Sequence, residues 1–210
     1  MARAGLNRQV VVDLALAVVD DAGPRGFADL TLSAVAARAG VAVPSLYKHV
    51  AGLPELRRAV ALVSVRGLTA AIESGARAAP DPARPGVSEL RAVAHAVRTY
   101  ARTSPGRYIA AQGAVWVQDR ESNEVHEAAA RAVAALTALL GSFDLPPEDV
   151  IDAVRMVRSA LHGFVVLELE GGFGMPADVD QSFRYLVDAL VAALGAQSRR
   201  GPAIADMVER

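Results

Sequence analysis

Residues 31–50, Thr-Leu-Ser-Ala-Val-Ala-Ala-Arg-Ala-Gly-Val-Ala-Val-Pro-Ser-Leu-Tyr-Lys-His-Val, constrain the fold more than any other stretch of this chain. Leu32, Val35, Ala36 and Ala39 recur at helical spacing and predict one buried stripe on a first short helix. Gly40 follows where that helix must stop, because a residue without Cβ enters the left-handed turn at no steric cost. Val41 and Leu46 then anchor a second helix across the first. Such a pair is a helix–turn–helix, whose second helix is shaped to enter the major groove of DNA. Lys48, the one lysine of the chain, lies on that second helix between Tyr47 and His49.

The rest of the composition narrows the class. With 52% hydrophobic but only 5% aromatic residues, the core must be built from Ala, Val and Leu, which in an Ala-rich chain favours helices over strands. A length of 210 residues suits one large domain or two small ones. The lack of cysteine excludes disulfides, thiolate catalysis and zinc-finger chemistry. No segment reaches about 18 apolar residues without a charge, and Asp13 interrupts the apolar run 10–19. The expectation is a soluble, cytoplasmic protein with no membrane partner. Net charge is −1 overall, split as +2 through residue 60 and −3 beyond it, so a weak basic bias falls at the helix–turn–helix end.

The whole chain reads as all-α, with about nine helices and no strand. Helices are expected over 8–22, 32–39, 43–49, 52–78, 87–103, a short piece carrying Tyr108, Gln112 and Trp116, then 122–140, a helix ending near 168, and 178–194. The breaks are Gly/Pro-rich: 21–26, 79–86, 104–106, 141–147 and 171–176. Thr31 is a candidate N-cap, and Pro44 sits in a first turn, where a missing N–H costs little.

Read as chemistry, the second helix offers Ser45 to a base edge or a phosphate, and Val43 and Pro44 to a thymine methyl. Tyr47, Lys48 and His49 suit backbone phosphate, as do the hydroxyls of Thr31 and Ser33 at the start of the preceding helix. Arg3 and Arg8 can reach the duplex from an N-terminal arm, while Arg57 and Arg58 are expected on a solvated face of the long helix.

Ala36-Ala37-Arg38-Ala39-Gly40-Val41 followed by Ser45-Leu46-Tyr47-Lys48-His49-Val50 resembles the DNA-binding domain of the TetR family of bacterial transcription regulators, over roughly residues 8–57. The resemblance implies a homodimer of all-helical subunits: an N-terminal three-helix helix–turn–helix domain (1–57), a C-terminal helical effector-binding and dimerisation domain (58–197) and a tail (198–210). It also implies repression at a palindromic double-stranded operator, relieved when a small-molecule effector binds, without a cofactor. Two positions depart from the family pattern: Ala42 replaces the small polar N-cap before the recognition helix, and Leu53 replaces a lysine at the start of the next helix.

Further on, Leu161-His-Gly-Phe is similar to a subgroup of C-terminal domains marked by Trp-His-Gly, with Leu161 in the tryptophan's place. Val154, Val157, Leu161 and Phe164 on one late helix, and Phe183, Leu186, Val187, Leu190 and Leu194 on the last, are wide apolar faces that predict a four-helix dimer interface. Two-fold symmetry would set two recognition helices about 34–36 Å apart, the spacing of successive major grooves. Tyr100, Tyr108, Gln112, Trp116, His162 and Phe164 mix aromatic and polar groups and are the effector-pocket candidates, implying a hydrophobic ligand. Such a ligand would act by favouring a subunit shape that no longer matches the groove spacing. Two rival classes were weighed. An enzyme finds no support, since the chain has no His-Glu-x-x-His, no glycine-rich phosphate loop and no nucleophile elbow, and His162, Glu168 and Glu170 are spaced around a helix rather than along one face. A helical adaptor that no longer binds DNA is opposed by the intact Tyr47-Lys48-His49 surface.

Overall fold

The first helix starts where its orphan N–H groups find a partner. Asn7 is extended, and its side-chain oxygen accepts the N–H of Val10 at 3.0 Å, opening α1 (Arg8–Asp21). Leu6 before the cap and Val11 in the first turns both join the same apolar cluster, which fixes the angle at which the chain enters the helix. The computed structural model describes residues 5–78, 81, 83–113 and 122–198. Among them every regular element is helical: α1, α2 (Leu32–Ala39), a 3₁₀ segment (Val43–Lys48), α3 (Leu53–Arg77), α4 (Pro85–Thr103), α5 (Pro105–Ala111), α6 (Asn123–Gly141), α7 (Val150–Leu169) and α8 (Val179–Ser198), with a 3₁₀ turn at Gly23–Arg25.

Two compact units emerge. The first comprises 1–69 and 99–132, the second 70–98 and 133–210, so α3, α4 and α6 each contribute to both. The unit that holds the helix–turn–helix therefore also contains α5 and the start of α6. Its core interlocks Val11, Ala15, Leu16 and Val19 of α1 with Phe27, Leu30, Val35, Leu46, Val50, Leu56 and Val60, and includes Ala110 and Val125. Helix α3 is long and apolar enough to cross a membrane by composition, yet its apolar stripe of Leu56, Val60, Ala61, Val65 and Ile72 is buried in the protein. Its two buried hydroxyls are satisfied within the helix, Ser64 donating to the Val60 carbonyl and Thr69 to that of Val65.

In the second unit the buried residues come from α4 (Leu90, Val93, Ala94, Val97), the end of α6 (Leu136, Leu139, Leu140), α7 (Ala153, Val154, Val157, Leu161, Val165) and α8 (Phe183, Val187, Leu190, Leu194). Most of the residues expected at a dimer interface are among them. Val154, Val157, Leu161, Phe183, Val187 and Leu190 are 0–8% exposed within a single chain, with Leu186 half-buried, so they build the subunit's own core. A helix whose apolar stripe is already covered by its neighbours has none left there for a second copy.

Candidate nucleic-acid interface

The turn between α2 and the 3₁₀ segment is closed by local chemistry. Thr31 Oγ1 accepts the Ala34 N–H at 3.2 Å and caps α2. At the other end Gly40 adopts φ +68°, and the N–H of Val41 reaches back to the Ala36 carbonyl at 3.1 Å, the bond pattern of a glycine-terminated helix. Ala42 makes no side-chain cap, and Val43–Lys48 winds as a 3₁₀ helix with Pro44 in its first turn. The expected α-helix over 43–49 is thus a tighter coil. Without a cap oxygen and with the proline N–H missing, i→i+3 bonds such as Ser45 N–H to the Ala42 carbonyl at 2.9 Å take over.

Leu46 is fully buried and Val50 2% exposed, and these two pin the segment to the core. Between them Tyr47 is 56% exposed and Lys48 is exposed, so the polar groups face outward from a fixed base. Thr31, Ser33 and Pro44 are exposed as well, while Ser45 and His49 are half-buried. Val43 packs against the core, which leaves Pro44 as the freer apolar group for a thymine methyl. Leu53, in the place of the family's lysine, likewise packs against the core. Arg3 lies outside the described residues.

The edge of this surface is organised by ion pairs. Glu55 in the first turn of α3 accepts the Ala51 N–H at 2.6 Å and the Arg8 guanidinium at 3.1 Å, tying the start of α1 to the loop that follows the recognition segment. The Ala51 N–H holds the Glu55 carboxyl below its ordinary 4.5, with Arg8 assisting and burial opposing. Arg57 does not lie on a solvated face as expected: its Nη2 donates to the carbonyls of Ala28 at 3.0 Å and Leu30 at 3.3 Å, closing the loop before α2.

The effector candidates fall in separate places. In the first unit Tyr108 is 2% exposed and belongs to the core, Gln112 is half-buried, and the Tyr100 hydroxyl donates to the Ser64 carbonyl at 2.9 Å. Burial pushes that phenol up to about 12. In the second unit the Phe164 ring meets Phe173 at a tilt and Phe183 edge-on, with centroids 4.7 and 5.1 Å away, and burial, with Arg158, lowers the pKa of His162. Trp116 lies outside the described residues. A cavity of 330 Å³ in the first unit is lined by none of them; Arg8, Glu55, Arg58, Leu62, Asn123 and Val125 are among its walls.

Sequence reasoning missed Arg98. It is 5% exposed, yet it pairs with both Glu168 oxygens at 2.7 and 2.6 Å and with Asp180 at 2.7 Å, and it lies 4.7 Å from the Phe183 ring centre. The signal was faint: one of three arginines on α4, facing two acidic residues remote in sequence. Both carboxylate oxygens of Glu168 thereby accept from this arginine.

The description "Bacterial regulatory proteins, tetR family" matches residues 22–50, and "Tetracyclin repressor-like, C-terminal domain" matches 90–190. An uncharacterized HTH-type transcriptional regulator of Bacillus subtilis, YobS, is 32% identical over 193 residues, 91% of this chain and 94% of that protein. An uncharacterized HTH-type transcriptional regulator of Mycobacterium tuberculosis is 35% identical over 201 residues, 94% of this chain and 86% of its own length. Among solved structures, a TetR variant from Acinetobacter baumannii AYE in complex with minocycline shares the fold with a TM-score of 0.62 at 20% identity, covering 91% of this chain and 98% of that one.

Proposed function

The chain belongs to the tetR family of bacterial regulatory proteins, a class of DNA-binding transcription regulators rather than enzymes, and from that premise we propose that it is a cytoplasmic repressor, released from a palindromic operator by a small hydrophobic effector. The observation that carries the reading is the recognition segment, where buried Leu46 and Val50 hold Tyr47 and Lys48 outward on a rigid base. A groove-reading element needs this combination, because contacts to bases and phosphates lose their value when the supporting backbone drifts. Thr31, Ser33, Pro44, Ser45 and His49 complete the proposed contact set.

Operator symmetry implies a homodimer. With the wide apolar faces of α7 and α8 used inside the subunit, the second copy is proposed to cover their exposed apolar residues instead: Ile151 at 62%, Leu167 at 49% and Tyr185 at 78% exposed. Effector binding is proposed for the second unit, where His162 and Phe164 retain some exposure. The minocycline complex of the Acinetobacter relative makes a hydrophobic ring compound the natural first probe.

Selection of duplexes from a random pool by the full-length protein, followed by gel shift of the winner, tests the reading. The expected product is a palindrome bound by two chains and released by a compound found in a screen. A folded protein that enriches no sequence at low salt leaves the adaptor reading standing in its place.

A further inference from the structure

Helix α1 ends on two adjacent carboxylates, Asp20 and Asp21, at the pole of the helix dipole where negative charge is unfavourable. No basic residue of α1 lies in that last turn. The compensation comes from elsewhere: Arg38 of α2 pairs with Asp21, and Arg107 of α5 brings Nη2 to 2.6 Å from Asp20 Oδ2. The second pair is largely out of water, its side chains 32% and 24% exposed. It is also incomplete, since Arg107 Nε and Asp20 Oδ1 are buried without a hydrogen-bond partner among the described residues. A desolvated pair with half of its bonds unmade adds little stability. Its value must lie in where it puts the two helices.

The backbone beside it is held as closely. A Cβ on Gly106 would sit 2.3 Å from the Val19 carbonyl oxygen and 2.6 Å from Val19 Cγ1, so the first turn of α5 rests directly on the last turns of α1. The end of α1 is therefore gripped twice, by α5 through Asp20 and Val19 and by the first helix of the helix–turn–helix through Asp21. All of these residues belong to one compact unit.

We propose that Arg107 is a positioning residue for operator binding: by holding Asp20 while Asp21 holds Arg38, it fixes the end of α1 and, through it, the orientation of α2 that groove entry requires. This rests on the DNA-binding reading above. Placement errors well under the length of a bond are enough to weaken base and phosphate contacts, so the coupling shows in affinity before it shows in stability.

The test uses the full-length chain and the duplex that the wild type selects, with affinity read by fluorescence anisotropy and stability by thermal unfolding. Asp20→Asn is isosteric and eases the dipole conflict, so it folds. Asp20→Asn and Arg107→Gln are each expected to weaken operator binding about five-fold or more while the unfolding midpoint stays within a few degrees. The double variant is expected to bind no worse than the weaker single one, and Arg107→Lys to recover most of the loss. Single variants that bind within about two-fold of wild type overturn the proposal, as do losses that add in the double variant or that follow an equal fall in stability. If Arg107→Gln does not fold, Asp20→Asn decides on the same thresholds. A wild type that selects no duplex removes the DNA-binding reading as well, an outcome distinct from variants that bind like wild type.

Discussion

In the unit that carries the helix–turn–helix, most of the paired arginines work near the surface, Arg107 being the exception. Arg8 reaches Glu55, Arg38 reaches Asp21 and Arg57 closes a loop through carbonyl oxygens, while the core beneath them is apolar from Val11 to Val60. In the second unit an arginine works from inside: Arg98 is 5% exposed and joins Glu168 of α7, Asp180 of α8 and the ring of Phe183. The exposed large apolar groups are divided the other way, with Tyr47 in the first unit and Val133, Ile151, Leu167, Met175 and Tyr185 in the second. The first arrangement suits a surface that must meet a polyanion and keep its shape. The second suits a body whose outside is partly apolar and whose inside is held by directional charge, which fits the homodimer proposed above.

Substitutions should separate the two units. Arg98→Ala takes the cation from the largely buried Glu168 carboxylate and is expected to cost about 3–5 kcal/mol. Arg98→Met, which removes the charge but keeps the bulk, should also unfold well below wild type, because the Glu168 carboxylate loses both of its guanidinium bonds in either variant. Equal stability of Arg98→Met and wild type in calorimetry would break the account of the second unit. Leu46→Ala, in the apolar core of the first, is expected to lose about 2–5 kcal/mol in denaturant unfolding. It should also weaken operator binding more than its stability loss explains, since it loosens the base of Tyr47 and Lys48.

Smaller effects sharpen the same contrast. Gly40→Ala forces a Cβ into the left-handed region at φ +68° and should cost about 1–2 kcal/mol, although nothing lies within 4 Å of the added atom. Thermal unfolding against a control alanine on the exposed face of α2 measures it. The smallest effect concerns pH. Because the Glu55 pKa is lower in the folded chain, its contribution is full above the unfolded value near 4.5 and is lost as pH falls through the folded one. Glu55→Gln should therefore lower stability modestly in the neutral region and flatten the acid limb of the stability–pH curve, so that variant and wild type converge at low pH. An acid limb of wild-type steepness in that variant would place the titration elsewhere.

How much of this was legible beforehand depends on whether the cause is local. The starts and stops of the helices follow from Thr31, Gly40, the glycines and the prolines, whose effects act within a few residues, and the all-α reading rests on them. The 3₁₀ winding of Val43–Lys48 is half legible: Pro44 and the missing cap at Ala42 each stand in the sequence, but only their combined effect on the first turn selects the tighter coil. Tertiary partners were not visible. Periodicity shows which side of α7 or α8 seeks burial but not whether Leu161 or Val187 meets its own chain or another, and the structure buries both in the subunit. Arg57 and Arg98 were invisible for the same reason, because an arginine's charge marks it for the surface until carbonyls or carboxylates distant in sequence are known to meet it. The effector candidates suffer most, since an aromatic ring such as Tyr108 reads alike in a core and in a pocket.

The central claim is that the Leu46-anchored turn presents Tyr47 and Lys48 to DNA phosphate. Its most direct test is the salt dependence of operator binding by wild type and Lys48→Ala. The account predicts that log affinity falls linearly with log salt for both, that the variant binds more weakly to every sequence, and that its slope is shallower by about one. Equal slopes and equal affinities would mean that this face does not touch the duplex.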